Sequence, residues 1–211
     1  SCNTYYCTEG ETRMIHLYQA PKTADAPIFL LLHGTGGTEQ DLVGLVSLLN
    51  PEAGYLSVRG EVSENGMPRF FKRLAEGVFD EEDLALRTAR LIQFLREQAA
   101  ERDFAIDRLI PVGYSNGANI AANILFEEAL FKQAILLHPM VPRRGVTLPD
   151  LSNVRVFIGA GSNDPICPAQ ETEELSALLT EAGASVDVSW SNYGHQLVMP
   201  TIEAATDWLT H

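Results

Sequence analysis

Short apolar runs alternate along the chain with longer segments of helical periodicity. Ile28–His33 is a continuous apolar run that ends at glycines, which is typical of a parallel strand covered on both faces. Apolar positions spaced by three and four residues predict an amphipathic helix over Glu82–Ala100. The apolar stripe of that helix is formed by Leu84, Thr88, Leu91, Leu95 and Ala99.

The same patterns predict the other elements. We expect strands at Thr12–Tyr18, Tyr55–Val58, Arg108–Gly113, Gln133–Leu137, Val154–Ala160 and Val186–Trp190. We expect helices at Glu39–Leu49, Ser115–Glu128, Ala169–Ala182 and Ile202–Leu209. Strands that alternate with helices favour an α/β fold with a mostly parallel sheet covered on both faces. No repeat or low-complexity linker divides the chain, so we expect residues 1–211 to form a single domain.

Composition and charge exclude several classes of protein. The 211 residues are 45% hydrophobic and 20% charged, which is ordinary for one globular domain. The longest apolar run, Ala26–Leu32, is far shorter than the ~20 residues of a membrane helix, and no signal peptide is visible. With 15 basic and 28 acidic residues, the net charge of −13 repels phosphate backbones and anionic membranes. We expect a soluble cytoplasmic protein that binds neither nucleic acid nor membrane.

Cysteine and histidine are too few and too scattered to indicate a metal site. Cys2, Cys7 and Cys167 lack the spacing of zinc ligands, and we expect them to be free thiols. No two of the five histidines are four residues apart. We therefore expect no metal and no cofactor.

A G-x-S-x-G motif lies where a strand should turn into a helix. Ligands of parallel sheets bind beyond the carboxyl ends of the strands, so we expect functional residues directly after each strand. After Arg108–Gly113 the chain reads Gly113-Tyr114-Ser115-Asn116-Gly117. In a nucleophile elbow the serine sits on a sharp turn, and glycines two residues away on either side leave room for it. We predict that Ser115 is a nucleophile.

A serine hydroxyl needs a base, and the base needs a carboxylate that fixes its tautomer. His195 follows the last predicted strand and precedes the last helix. Asp164 lies in the loop after Val154–Ala160 and is the only acid there. The order serine, aspartate, histidine is the one expected on this type of sheet. The competing acids Asp150 and Asp187 precede or lie inside strands.

Two backbone N–H groups are expected to form an oxyanion hole. One belongs to Asn116, the residue after the nucleophile. The other lies in the glycine-rich turn His33–Gly37, and we assign it to Thr35 with Gly36 as the alternative. A phosphate-binding loop is the competing interpretation of this turn, but it lacks the P-loop lysine. We expect His33 to be a structural hydrogen-bonding residue.

Several motifs together resemble the α/β-hydrolase superfamily, and in particular its small carboxylesterase/phospholipase group, which includes acyl-protein thioesterases. They are LLHGTGG (31–37), GYSNGAN (113–119), GSNDPI (161–166), GHQL (194–197), NGMPRFF (65–71) and HPMVPRRG (138–145). The last two are similar to bacterial carboxylesterases, some of which are associated with hydroquinone stress.

The resemblance implies a cofactor-free serine hydrolase with Ser115, Asp164 and His195 as its triad, acting on small to medium carboxylic esters. A thioesterase or lysophospholipase with the same triad is the alternative. A dienelactone-type hydrolase is disfavoured, because we expect cysteine at the elbow there.

The segment Arg59–Asp80 is the predicted source of the substrate pocket, since no long insertion that could form a helical cap separates His138 from Asp164. Its large apolar residues either line that pocket or close the core beside the sheet. Residues assigned to substrate binding are Gly36, Met67, Phe70, Phe71 and Met140. The expected partner is a small-molecule ester, and a homodimer is left open.

Overall fold

A seven-stranded sheet forms the centre of the structure, a computed structural model that describes residues 13–211. Its strands are β1 (His16–Gln19), β2 (Ile28–Leu32), β3 (Gly54–Val58), β8 (Leu109–Tyr114), β9 (Gln133–Leu137), β10 (Arg155–Gly161) and β11 (Ser185–Ser191). The four short strands between β3 and β8 lie outside this sheet, within residues 59–80. The order across the sheet is β1-β3-β2-β8-β9-β10-β11. Only β1 runs antiparallel to its neighbour. The predicted mostly parallel sheet is confirmed.

The described part of the chain contains five α-helices, of which four lie between strands and the last follows β11. They are α1 (Val46–Leu49), α2 (Glu81–Glu101), α3 (Asn116–Glu127), α4 (Ala169–Glu181) and α5 (Met199–Leu209). Four of them agree with the sequence-based expectation to within three residues at each end. Within residues 13–211 no helix has both the length and the apolar character that crossing a bilayer requires.

The predicted helix over Glu39–Leu49 is wrong in its first half. Val43–Leu45 form a 3-10 turn, and only α1 is α-helical. Strand β3 supplies the physical reason, because the Ser57 hydroxyl donates to the carbonyl of Glu39. The Glu39 side chain also points toward the end of β3, where it forms a salt bridge with Arg59. The Arg59 Nε and Glu39 Oε2 atoms are 2.7 Å apart. The carbonyl that would begin the helix is thus bound by the sheet.

Hydrophobic packing covers both faces of the sheet. Along β2 the side chains alternate, so that Ile28, Leu30 and Leu32 enter one core while Phe29 and Leu31 enter the other. The first core also takes buried side chains of α2, α3 and α4, and the second takes those of α1 and α5. A run that is apolar at every position is what a strand buried on both faces requires.

Residues 59–80 fold into two small hairpins. The strands are β4 (Val62–Glu64), β5 (Met67–Arg69), β6 (Arg73–Ala75) and β7 (Val78–Phe79). Phe70 and Phe71 link the hairpins and belong to the first core, where the Phe71 ring meets Phe79 edge-on at 5.2 Å. We predicted that both residues bind substrate. Their burial favours the alternative, that they close the core, and the assignment to substrate binding stays a prediction.

Replacing Phe71 by alanine should therefore lower stability without changing which ester is preferred. Its side chain is fully buried, and Phe→Ala changes in cores cost ~3–5 kcal/mol of unfolding free energy. Leu74→Ala is the matched control, because Leu74 lies in the same segment but is 73% exposed. We expect it to change stability by no more than about 0.5 kcal/mol. Urea titrations of both variants measure the difference, and equal stabilities would contradict the core placement.

Candidate active site

Ser115 occupies a strained turn between β8 and α3. Its backbone has φ 53° and ψ −112°, a conformation that L-residues seldom adopt and that costs ~1–3 kcal/mol. The Ser115 N–H donates to the carbonyl of Leu137 at 2.8 Å, which ties the turn to the end of β9. The hydroxyl is thereby fixed at the carboxyl edge of the sheet.

The glycines on either side of this turn have no room for a side chain. A Cβ at Gly113 would lie 2.7 Å from the backbone nitrogen of Ala118. A Cβ at Gly117 would collide with the carbonyl of Leu32 at the end of β2. The motif read from the sequence therefore reflects the close approach of α3 to the sheet.

The three residues predicted as catalytic form one hydrogen-bonded line. His195 Nε2 lies 2.8 Å from the Ser115 hydroxyl, and His195 Nδ1 lies 2.6 Å from Asp164 Oδ2. A carboxylate can only accept, so Nδ1 carries the proton and Nε2 is left to accept from the serine. The Asp164 side chain is buried, whereas 16% of the His195 side chain is exposed.

The turn that carries Asp164 supplies the other donors to its carboxylate. Oδ1 accepts the backbone N–H groups of Ile166 and Cys167 at 2.8 and 2.9 Å. Burial alone would raise the pKa of Asp164. The Cys167 N–H, the His195 ring and the Ile166 N–H outweigh it and hold the pKa below the usual value, so the carboxylate is charged at neutral pH.

Two residues that the sequence did not single out hold the His195 loop in place. Asn163 Oδ1 accepts a hydrogen bond from the Gly194 N–H at 2.9 Å, and Asn163 Nδ2 donates to the carbonyl of Asn192 at 3.0 Å. The hydroxyl of Tyr114 donates to the carbonyl of His195 at 2.6 Å. Both residues adjoin a predicted catalytic residue in the sequence, which is the only signal that could have found them.

On the other side of Ser115, the β4–β5 hairpin braces the glycine-rich turn. The Gly36 N–H donates to the carbonyl of Pro68 at 2.9 Å. The Arg69 guanidinium is buried and donates to the Thr35 hydroxyl at 2.5 Å. Burial is the main reason that the pKa of Arg69 falls to about 10, which leaves it charged at neutral pH. The hairpin thus fixes Thr35 and Gly36, the two candidate oxyanion donors of the glycine-rich turn.

The elbow is attached to the same segment through Asn116. Its side-chain oxygen accepts the backbone N–H of Phe70 at 2.7 Å. His33, at the end of β2, completes the support: its Nδ1–H donates to the carbonyl of Gly34 at 2.6 Å, and its Nε2 accepts from the Gly60 N–H at 3.0 Å. Both ring nitrogens are used in this way, as expected for a structural residue. Burial lowers the pKa of His33, which keeps the ring neutral.

The remaining predicted pocket residues differ in exposure. Met67 is 40% exposed, and its sulfur lies 3.6 Å from the position that a Cβ would take at Gly36. Met140 is buried, and its N–H donates to the side chain of Asn119 at 2.7 Å. The structure therefore brings Met67 and Gly36 together at an open surface and encloses Met140.

A second histidine, His138, touches the same aspartate. Its Nδ1 lies 3.1 Å from Asp164 Oδ2. A metal ion could be held by three or more His, Cys, Asp or Glu side chains whose nitrogen, sulfur or oxygen atoms lie close together. In the described part of the chain, one such group has these atoms within 4.8 Å of one another, and it consists of His138, Asp164 and His195. Hydrogen bonds of both rings to the shared oxygen account for that closeness, and the expectation of no metal stays a prediction.

The chain is similar over most of its length to known hydrolases. The profile of the dienelactone hydrolase family matches residues 16–204. MhqD of Bacillus subtilis (strain 168), a protein named as a hydrolase, is 53% identical over 196 residues, which are 92% of this chain and 97% of MhqD. The Bacillus cereus carboxylesterase is 54% identical and superposes with a TM-score of 0.92 over 93% of each chain. A Mesorhizobium loti carboxylesterase is 28% identical, with a TM-score of 0.82 over 90% of this chain and 98% of its own.

The family match corrects one expectation. We disfavoured a dienelactone-type hydrolase because residue 115 is serine, yet the profile covers nearly the whole described chain. The resemblance to bacterial carboxylesterases and the α/β-hydrolase fold are both confirmed. The protein is a carboxylic ester hydrolase, and its chain belongs to the dienelactone hydrolase family of the α/β-hydrolase superfamily.

Proposed function

We propose that this protein is a serine hydrolase that cleaves small to medium carboxylic esters through an acyl-enzyme on Ser115. The observation that carries the proposal is the line of hydrogen bonds from the Ser115 hydroxyl through His195 to the buried carboxylate of Asp164. Nucleophile, base and orienting acid are within hydrogen-bond reach of one another, which is the arrangement that activates a serine.

In the first half of the reaction His195 takes the proton of Ser115 as the hydroxyl oxygen attacks the ester carbonyl. The imidazolium that forms is stabilised by Asp164 and then protonates the leaving alcohol. In the second half His195 takes a proton from water, the hydroxide oxygen attacks the acyl carbon, and Ser115 leaves with its proton restored. Each step uses groups of this chain and the substrate, so the proposal invokes no cofactor.

The oxyanion formed in each half is assigned to the backbone N–H groups of Thr35 and Asn116. Asn116 is the first residue of α3, where N–H groups have no partner within the helix. Of the two candidates in the glycine-rich turn, Gly36 already donates to Pro68. This hydrogen bond favours Thr35, whose hydroxyl is held by Arg69. Preorganised donors of this kind are worth several kcal/mol in the transition state.

The size of the substrate follows from what surrounds the site. Residues 138–154, all of which are described, contain no helix or strand that could act as a cap. Met67 lies at an open surface beside Gly36. We infer that the acyl or alcohol group rests on this surface. The same triad could cleave thioesters or lysophospholipids, and a series of chromogenic esters and thioesters of increasing chain length distinguishes these substrates.

We place the enzyme in the cytoplasm. The net charge of −13 and the buried, unpaired thiol of Cys167 support this part of the proposal.

Ser115→Ala should abolish hydrolysis of a short aryl ester while leaving the fold intact. The nucleophile is lost, and removal of a triad member typically costs several orders of magnitude in kcat. Ser47→Ala, at an exposed position of α1, is the matched control and should retain full activity. Turnover and circular dichroism melts of both variants decide the matter. A folded Ser115→Ala enzyme with wild-type turnover would end the proposal.

Met67→Ala should change the preference between short and long acyl chains. Because the side chain is exposed beside Gly36, we expect its truncation to alter the kcat/KM ratio of long to short esters by about tenfold, with little effect on stability. Leu48→Ala, which removes an exposed side chain from α1, is the control. If the two variants give the same chain-length profile, Met67 does not line the substrate surface.

A further inference from the structure

His138 is a buried histidine that contacts Asp164 and that the proposed mechanism does not use. It follows β9 and opens the HPMVPRRG motif. Its side chain is 1% exposed. Nδ1 lies 3.1 Å from Asp164 Oδ2, the same oxygen that His195 Nδ1 approaches to 2.6 Å. The two imidazole rings meet at 62° with their centres 5.2 Å apart.

The protons on these rings follow from the chemistry of the carboxylate. A charged carboxylate is an acceptor with about four lone-pair positions. Ile166 and Cys167 fill those of Oδ1 with backbone N–H groups, and the two histidines share Oδ2. Both Nδ1 atoms must therefore carry hydrogen. Since His195 moves its proton at Nε2 during turnover, His138 is the side-chain donor to Oδ2 that takes no part in proton transfer.

We propose that His138 is a positioning residue for the general base, His195. The Nδ1–H of His138 holds Asp164 Oδ2 in the orientation that His195 requires. The proposal rests on the serine-hydrolase function above. Both oxygens of the Asp164 carboxylate then accept hydrogen bonds from groups other than His195. The carboxylate therefore keeps its orientation toward His195 when that ring shifts between the serine and the leaving group.

The surroundings of His138 keep its ring neutral, which this role requires. Burial is the largest influence and lowers the pKa of His138, and the nearby His195 lowers it further. The carboxylate of Asp164 and the backbone of Gln196 act in the opposite direction but are outweighed. Nε2 is buried and has no hydrogen-bond partner of ordinary geometry among the described residues.

Two further neighbours add no charge. The Tyr114 ring meets His138 edge-on at 6.0 Å, and the Cys167 thiol donates to the His138 carbonyl at 3.4 Å. Burial raises the pKa of both the Tyr114 hydroxyl and the Cys167 thiol, so both are neutral. A neutral donor strengthens the carboxylate's position without placing a second positive charge beside the imidazolium of His195.

The backbone of His138 is held in an unfavourable conformation at the same place. Its φ is 54°, close to the 53° of Ser115, which follows the adjoining strand β8. The His138 N–H donates to the carbonyl of Gly159 at 2.7 Å, which fixes it to β10. Strain of ~1–3 kcal/mol per residue persists only where the surroundings impose it, and it clusters at functional sites. The tie to β10 and the bond to Asp164 are two such constraints.

His138→Asn and His138→Ala form the matched pair that tests this role. The Asn side-chain nitrogen can occupy the place of Nδ1, and Asn tolerates a positive φ. Alanine keeps no donor. We expect the Ala variant to lose about tenfold to a hundredfold in kcat with KM for a short aryl ester little changed, and the Asn variant to recover most of that loss. The rate of Ser115 labelling by an organophosphorus inhibitor, measured per folded molecule, should fall and recover in parallel.

The outcomes are distinct from those that test the hydrolase itself. A folded His138→Ala enzyme with wild-type kcat and labelling rate, or an Asn variant as slow as the Ala variant, overturns the positioning role while Ser115→Ala stays inactive. Activity in Ser115→Ala overturns the underlying function instead. Should the Ala chain fail to fold, His138→Gly replaces it, since glycine tolerates the positive φ of this position and offers no side-chain donor.

Discussion

The site depends on one constraint. The residues that follow four neighbouring parallel strands must meet at one place, although the strands themselves are spread across the sheet. Ser115, His138, Asp164 and His195 follow β8, β9, β10 and β11 in that order across the sheet. Strands β8 and β11 are three inter-strand gaps apart, or about 14 Å. Yet His195 and Ser115 are joined by a hydrogen bond of 2.8 Å. The loop after β11 must therefore lean back across two strands.

That fold-back explains much of the local structure. A Cβ at Gly161 would collide with the carbonyl of Gly194, so the Asp164 and His195 loops touch along their backbones. The side chain of Asn163 joins them, and Tyr114 fastens the carbonyl of His195 to the end of β8. Asp164 fills the gap beneath this loop, and its buried charge is tolerable because hydrogen bonds replace the lost water.

The sequence predicts well what depends on local pattern. Strand β9 has the predicted bounds, and the tight turn at Ser115 is predictable because such a turn requires glycines at fixed distances in the chain. Contacts between distant segments leave no such mark. The apolar content of residues 59–80 fits a pocket as well as a core, and hairpin strands of two or three residues are too short to carry a period. Only the fold shows that Phe71 is enclosed while Met67 is open.

His138 marks the boundary between what the sequence could have shown and what it could not. Functional residues of a parallel sheet tend to follow its strands, and His138 directly follows Gln133–Leu137. Its role is still invisible in the sequence, because a lone histidine after a strand is as compatible with packing as with chemistry. The deciding fact is that its Nδ1 and that of His195 meet one oxygen 26 and 31 residues away from them in the chain.

The choice of serine at the elbow gives a reason for such firm support of Asp164. A thiol loses its proton near neutral pH far more readily than a hydroxyl does, so a cysteine nucleophile needs less help from its base. Serine depends on the base throughout, and the base depends on the orientation of the acid. In the proposed mechanism, any rotation of the Asp164 carboxylate would weaken the bond that keeps the His195 Nε2 lone pair directed at Ser115. Two backbone N–H groups at one oxygen and a neutral imidazole at the other restrain that rotation with groups that keep their protons throughout turnover.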